Sequence, residues 1–167
     1  MSRRHSTRFG NRVSKARGDL KNLVRFQLGT TEYAFEVVNV EEVVHPVEVT
    51  PLPHMAMSVA GVFDHRGHVT PIVDLRPRLG LPDVPPNRHH KWILMRTEHG
   101  LVGFVVDRVL DVVGTADALD APPPVGPNAE GRAIRGVVHI DNDLVFVLDE
   151  GRLASVVASL ELPDSLP

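Results

Sequence analysis

The 167-residue chain contains no cysteine, which removes disulfide frameworks and thiol nucleophiles and leaves histidines and carboxylates as its only possible metal ligands. Aromatic residues are scarce: one tryptophan, one tyrosine and six phenylalanines offer no evident stacking surface for nucleic acid. No apolar run reaches the about 18 residues of a membrane span, and the N-terminus lacks the apolar block of a secretory signal. A cytoplasmic protein with no transmembrane segment is expected.

Catalytic signatures are missing as well. There is no G-x-S-x-G elbow, no G-x-x-x-x-G-K-[ST] phosphate loop and no H-E-x-x-H helix. Gly61, Gly67, Gly103, Gly131 and Gly136 are spaced as turn and bend residues rather than as a phosphate cradle. The carboxylate pairs Glu41-Glu42 and Asp141/Asp143 stand in no pattern that would couple them for acid–base work. His65 and His68 are close enough to share a metal if Asp64 joined them, but turn histidines are more often solvated. Neither an enzyme nor a cofactor, metal or small-molecule substrate is expected.

What is present begins with an uneven charge. The net charge is -3, yet residues 1–20 carry six basic side chains against Asp19, a net of about +5 that leaves about -8 for the body. This basic, apolar-poor stretch is expected to be a disordered tail, dispensable for folding: a solvated arm, or an arm for nucleic acid or an anionic membrane surface. The whole chain is 43% hydrophobic and long enough to bury a core.

The organising stretch is Val59–Leu81. Ala60-Gly61 and Val62-Phe63 lead into a polar corner, Asp64-His65-Arg66-Gly67. A β-branched run, His68–Val73, follows, and Asp74-Leu75-Arg76 opens a short Arg-rich segment closed by Gly80. This reads as strand, hairpin corner, strand and short helix. Before it, Leu23–Leu28 and Tyr33–Phe35 form a strand pair. Val37, Val40, Val43 and Val44 then fit either a short amphipathic helix or a strand. After a proline-rich linker, Leu81–Arg88, strands are expected over Lys91–Met95, Leu101–Val106, Ile134–Ile140 and Leu144–Leu148, with a loop at Asp120–Gly131. A helix over Glu150–Leu160 carries Leu153, Val156, Val157 and Leu160 on one stripe.

The two halves are a duplication. Ala34-Phe35 matches Gly103-Phe104, and Val40, Val43 and Val44 match Val109, Val112 and Val113, at a constant offset of 69; Gly61-Val62, Ile72-Val73 and Asp74 then match Gly136-Val137, Val147-Leu148 and Asp149 at 75. Arg66-Gly67 of the first corner corresponds to Asp141-Asn142 of the second, so a shared frame carries different chemistry at one place. Two small closed β units follow from short strands whose edges need protection. Lobe one is expected at about 21–81, lobe two at about 89–150 and the C-terminal helix at about 150–160. Units of this size are too small to fold alone.

The frame Gly61-Val62-Phe63-Asp64-His65-Arg66-Gly67-His68-Val69-Thr70-Pro71-Ile72-Val73-Asp74-Leu75-Arg76 resembles, without a gap, the G-V-x-N-L-R-G-x-V-x-P-V-V-D-L-R strand pair of CheW-like coupling proteins. Asp64-His65 replaces the family's Asn-Leu. The resemblance covers roughly residues 21–160 and implies a mainly β fold of two SH3-like five-stranded barrels with short helices and a C-terminal helix. It also implies a non-enzymatic adaptor in a chemosensory array, holding the cytoplasmic tip of a chemoreceptor and the regulatory domain of a CheA-type histidine kinase. By the same resemblance Val40, Glu42, Gly61, Arg66, Gly67 and Val112 occupy or support the receptor-facing groove, with Glu42 and Arg66 paired. Val40 and Val112 fit a plain core role equally well, and the glycines a plain backbone role. Two other readings compete: a CheW-like module in motility or gene regulation without a kinase, and a small-barrel protein binding nucleic acid through its tail.

Overall fold

The computed structural model describes residues 21–116, 119–120 and 133–166. The expectations for the tail at 1–20 and for most of the loop beginning at Asp120 lie outside the described residues. The first half contains β1 (Lys21–Leu28), β2 (Thr31–Glu36), a 3-10 turn (Val37–Asn39), β3 (Val40–Val44), β4 (Val59–His65), β5 (His68–Asp74) and α1 (Arg76–Leu79). The second contains β6 (Lys91–Thr97), β7 (Gly100–Val106), β8 (Arg108–Thr115), β9 (Ile134–Ile140), β10 (Asp143–Leu148), α2 (Glu150–Ala154) and a 3-10 turn (Ser155–Val157). No helix among the described residues is long and apolar enough to cross a membrane.

These strands form two five-stranded sheets, ordered β8-β1-β2-β10-β9 and β3-β6-β7-β5-β4. With β1–β5 matched to β6–β10 by the duplication, the second order is the first with every strand replaced by its counterpart. Each repeat keeps its first two strands in one sheet and lends its last three to the other. The joints are the parallel pairs β2 with β10 and β5 with β7 and the antiparallel pairs β1 with β8 and β3 with β6. This corrects the division into contiguous lobes at 21–81 and 89–150. After β2, the 3-10 turn Val37–Asn39 redirects the chain, and Val40–Val44 pairs with Trp92–Met95 in the other sheet. That pairing also settles the open reading of the valine run: β-branched residues with a strand partner form strand.

Side-chain alternation places the core. Along β6, Ile93 and Met95 join a large central cluster, whereas Trp92 and Leu94 enter a small cluster belonging to the second sheet. Along β10, Phe146 and Leu148 face the central cluster, and Val145 and Val147 face the first sheet's own small cluster. Strands buried on both faces read as continuous apolar runs, which is why Trp92–Met95 and Val102–Val106 look as they do. The central cluster draws Phe26 and Phe35 from the first sheet and Phe104 and Val73 from the second. Burying each such side chain contributes about 1.5–3 kcal/mol, so the larger part of the core couples the two sheets.

The C-terminal helix is shorter than the expected Glu150–Leu160, ending at Ala154 and passing into the 3-10 turn. Ser155 Oγ donates to the Arg152 carbonyl at 2.8 Å, and Val156 and Val157 are β-branched; both disfavour further α-helix. The apolar stripe keeps its role, with Leu153 and Val157 buried and Val156 and Leu160 packed against the central cluster. Asp149 accepts from Arg152 N at 3.1 Å at the start of α2, and its counterpart Asp74 accepts from Arg76 N at 3.0 Å beside α1.

Candidate partner-binding surface

The hairpin between β4 and β5 turns through Arg66 and Gly67 alone, with φ of 52° and 87°. Asp64 and His65, expected in the corner, belong to β4, and Asp64 Oδ1 accepts from Gly67 N at 2.7 Å. The counterpart turn, Asp141-Asn142, has φ of 50° and 73°, so β10 starts one residue before the expected Leu144. Positive φ at both central residues is the geometry of a tight twisted hairpin, and it favours Asn, Asp and Gly. A side chain such as Arg66 there costs on the order of 1 kcal/mol. The backbone gives no reason for arginine.

Its side chain does. Arg66 Nη2 lies 3.1 Å from Glu42 Oε1, and His65 Nε2 approaches the same oxygen at 3.5 Å. Glu42 is on β3 and Arg66 at the tip of β4, the two edge strands of the second sheet, so the pair draws its edges together. The guanidinium is 71% exposed and the Glu42 carboxylate 34%. Behind them Phe63 packs edge-on against Trp92 at 4.9 Å. His65 and His68 are register partners, but His65 is turned to Glu42, Asp64 accepts from Gly67 N, and no cluster of three ligands occurs among the described residues.

Val40 is half-buried against the central cluster, opposite Met95. The 3-10 turn before it exposes Val38 at 70% and is held from two sides. Arg96 donates to the Val38 carbonyl at 2.8 Å and pairs with Glu41, while Asn39 Nδ2 donates to Glu150 Oε2 at 2.6 Å. Val112 stands on β8 in the first sheet, opposite Val24, and is 62% exposed, which removes the plain core reading for it. Val112 therefore lies on the face of the sheet that it shares with Val24 of the central cluster.

The glycines divide. A Cβ at Gly67 would meet nothing within 4 Å, so only its φ calls for glycine. At Gly61, where φ is 150°, a Cβ would lie 2.9 Å from the Thr50 carbonyl oxygen and from Val49. Thr50 and Val62 exchange backbone hydrogen bonds of 2.8 and 2.9 Å across this approach, and Asp120 and Val137 repeat it beside Gly136. Gly61 is therefore required by the close approach of the Thr50 arm. Val38 and Arg96 went unrecognised in the sequence, because an exposed valine beside a buried one carries no distinguishing pattern and the Arg96–Glu41 pair spans strands far apart in the chain.

Two further ionic clusters brace the fold. Arg25 bonds both oxygens of Asp111, at 2.9 and 2.8 Å, and meets Glu32 at 3.2 Å, joining β1, β2 and β8. Its hydrogen bonds to Asp111 outweigh partial burial and hold the guanidinium more firmly protonated than usual. Arg76 is buried between Asp107 and Asp74, the latter at 3.5 Å. His90 Nε2 lies 3.3 Å from the same Asp107 oxygen, but burial, and next the charge of Arg76, push its pKa below the ordinary value. Asn87 Nδ2 lies 3.1 Å from the same ring nitrogen. A cavity of about 300 Å³ beside Trp92 and Val105 reaches this cluster, where Arg76 is already neutralised. A wider polar depression is lined by Arg78, Glu98, His99, Asp149 and Ser155, whose hydroxyl donates to the Arg152 carbonyl at 2.8 Å.

Two strand-exchanged β lobes bearing an ion-paired hairpin tip beside half-exposed valines define a scaffold suited to binding other proteins. The chain belongs to the CheW-like domain family, whose model matches residues 22–158. It is 30% identical over 140 residues to the probable chemotaxis protein CheW of Rhizobium etli, covering 83% of this chain and 90% of that one. It is 31% identical over 140 residues to the chemotaxis protein CheW of Thermotoga maritima, covering 83% and 91%. The crystal structure of the scaffolding protein TtCheW from Thermoanaerobacter tengcongensis superposes with a TM-score of 0.74 at 24% identity, over 81% of this chain and 88% of that one, and shares the fold.

Proposed function

We propose that this protein is a chemotaxis coupling adaptor that carries no chemistry of its own and joins a chemoreceptor to a CheA-type histidine kinase in the cytoplasm. Family membership and similarity over 83% of this chain to the CheW proteins of Rhizobium etli and Thermotoga maritima support the adaptor role. The observation that carries the choice of surface is Arg66: a residue the turn does not need, placed at φ 52° and paired with Glu42 on the opposite sheet edge. Charged groups that are exposed at a protein surface and still held in a fixed pair are preorganised for a charged partner. In this reading Val40, Glu42, Arg66 and Val112 contact the receptor tip, and Gly61 and Gly67 set the backbone beneath them.

Affinity for a soluble hairpin fragment of a methyl-accepting chemoreceptor from the same organism, and separately for its kinase's regulatory domain, tests the reading. Binding of both by the unaltered chain, with receptor binding lost in Arg66→Glu, is the expected result. A chain that binds neither refutes the adaptor role. Unchanged receptor affinity in Arg66→Glu refutes the surface.

A further inference from the structure

We infer that Glu150 is a positioning residue for the receptor-facing surface, fixing from beneath the turn that presents Val38 and Val40; the inference rests on the surface reading above. Glu150 lies at the start of α2 and is only 6% exposed. By the duplication its counterpart is Leu75, fully buried in the central cluster, so the position is one the fold fills with an apolar side chain. A carboxylate in such a place is costlier than leucine unless its partners compensate; removing one member of a buried ion pair destabilises when it strands the other charge, but Arg135 is 35% exposed and keeps Glu36 and Asp149 when Glu150 is replaced. Folding alone therefore does not account for glutamate here.

Its contacts do. Glu150 Oε2 accepts from Asn39 Nδ2 at 2.6 Å, across 111 residues of chain. Arg135 Nη2 stands 3.7 Å from Oε1, which has no hydrogen-bond partner among the described residues, while Arg135 bonds Glu36 at 2.9 Å and lies 3.6 Å from Asp149. Glu36 and Asn39 bracket the 3-10 turn Val37–Asn39. Arg96 clamps this turn on its solvent side, through the Val38 carbonyl and Glu41. Glu150 and Arg135 clamp it from the core side. The segment so held exposes Val38 and feeds directly into Val40 and Glu42. Apolar docking residues on a short turn lose affinity when the turn must be ordered on binding, and a second layer of hydrogen bonds removes that cost. The buried carboxylate is then retained for binding geometry, at the expense of some core stability.

The test compares Glu150→Leu and Glu150→Gln in the full chain, measuring melting temperature and affinity for the receptor hairpin fragment, with Arg66→Glu as control. Leucine reproduces the counterpart position and removes the acceptor, whereas glutamine keeps an oxygen for Asn39. Expected for Glu150→Leu is a melting temperature equal to or above that of the unaltered chain with receptor affinity weaker by about tenfold. Glu150→Gln should recover most of that affinity, and kinase-domain affinity should not change in either. Unaltered affinity in Glu150→Leu, beside loss in Arg66→Glu, overturns the inference alone. Unaltered affinity in both overturns it together with the surface reading. Loss of receptor affinity accompanied by a fall in melting temperature, or loss not rescued by glutamine, overturns positioning in favour of plain stability. Loss in Glu150→Leu but not in Arg66→Glu also overturns it, since the turn would then serve another surface.

Discussion

Arg66 and Glu42 meet at 3.1 Å across the open edges of the second sheet, and His65 shares the same carboxylate oxygen at 3.5 Å. The pair is exposed, and exposed pairs contribute about 0–1 kcal/mol. Arg66→Glu is therefore expected to lower stability by no more than about 1 kcal/mol and to weaken receptor binding by about tenfold or more. Exchanging the charges, Glu42→Arg with Arg66→Glu, should restore part of the binding if mutual pairing is what matters, and none if Arg66 touches the receptor. Unfolding of Arg66→Glu in a denaturant titration would contradict the assignment of a surface role.

Gly61→Ala and Gly67→Ala separate two uses of glycine within one hairpin. At Gly61 an added Cβ meets a carbonyl oxygen at 2.9 Å on a backbone with φ of 150°, and a cost of about 2–4 kcal/mol is expected from overpacking and strain together. At Gly67 only the φ of 87° opposes alanine, for about 1 kcal/mol. Urea midpoints measured side by side check the order; equal costs would show that the Thr50 arm yields without penalty.

Neither half of the chain should fold alone. In a fragment from Lys21 to Leu81, β1 and β2 lack both sheet neighbours, β8 and β10, while β4–β5 lacks β7 and β3 lacks β6. Isolated hairpins are marginal at best. Mixing this fragment with one spanning Asn87 to Leu160 should give a cooperative far-ultraviolet transition that neither gives separately. Cooperative unfolding of either fragment alone sinks the prediction.

Acidification should destabilise the protein partly through His90. Its folded-state pKa lies below the ordinary 6.5, because burial and then Arg76 disfavour the imidazolium. The unfolded chain thus binds a proton that the folded one refuses, and stability falls as pH drops through about 6.5 toward the folded value. The melting temperature of His90→Gln should fall less between pH 7 and pH 5 than that of the unaltered chain. A slope unchanged by the substitution would show that other groups carry the whole effect.

Much of the fold was legible from local pattern. Thr70–Val73 and Val145–Leu148 announced strands by β-branched content, the polar stretches Asp64–Gly67 and Asp141–Asp143 announced hairpin corners, though longer ones than the two-residue turns that form, and the two offsets of the duplication paired almost every strand with its counterpart. The Glu42–Arg66 contact was foreseen through the family frame that Gly61–Arg76 matches. The end of the last helix was not, because Val156 and Leu160 keep their apolar stripe even where Ser155 and the two valines tighten the chain.

What the sequence determined by itself was most of the strands, the places of the two hairpin corners and the presence of two equivalent units. What the tertiary structure alone decided was to which sheet each strand belongs. Alternation records that Ile93 and Trp92 point to opposite faces, but not that one face meets Phe26 and Phe35 of the other sheet. A strand's apolar residues are satisfied equally by its own repeat or by the copy, and the Val37–Asn39 redirection and the pairs β2–β10, β5–β7, β1–β8 and β3–β6 choose between them. The same holds for Glu150: buried carboxylates look like surface ones in a sequence, since the distant Asn39 and Arg135 that partner this one are brought beside it only when the exchanged strands close on each other.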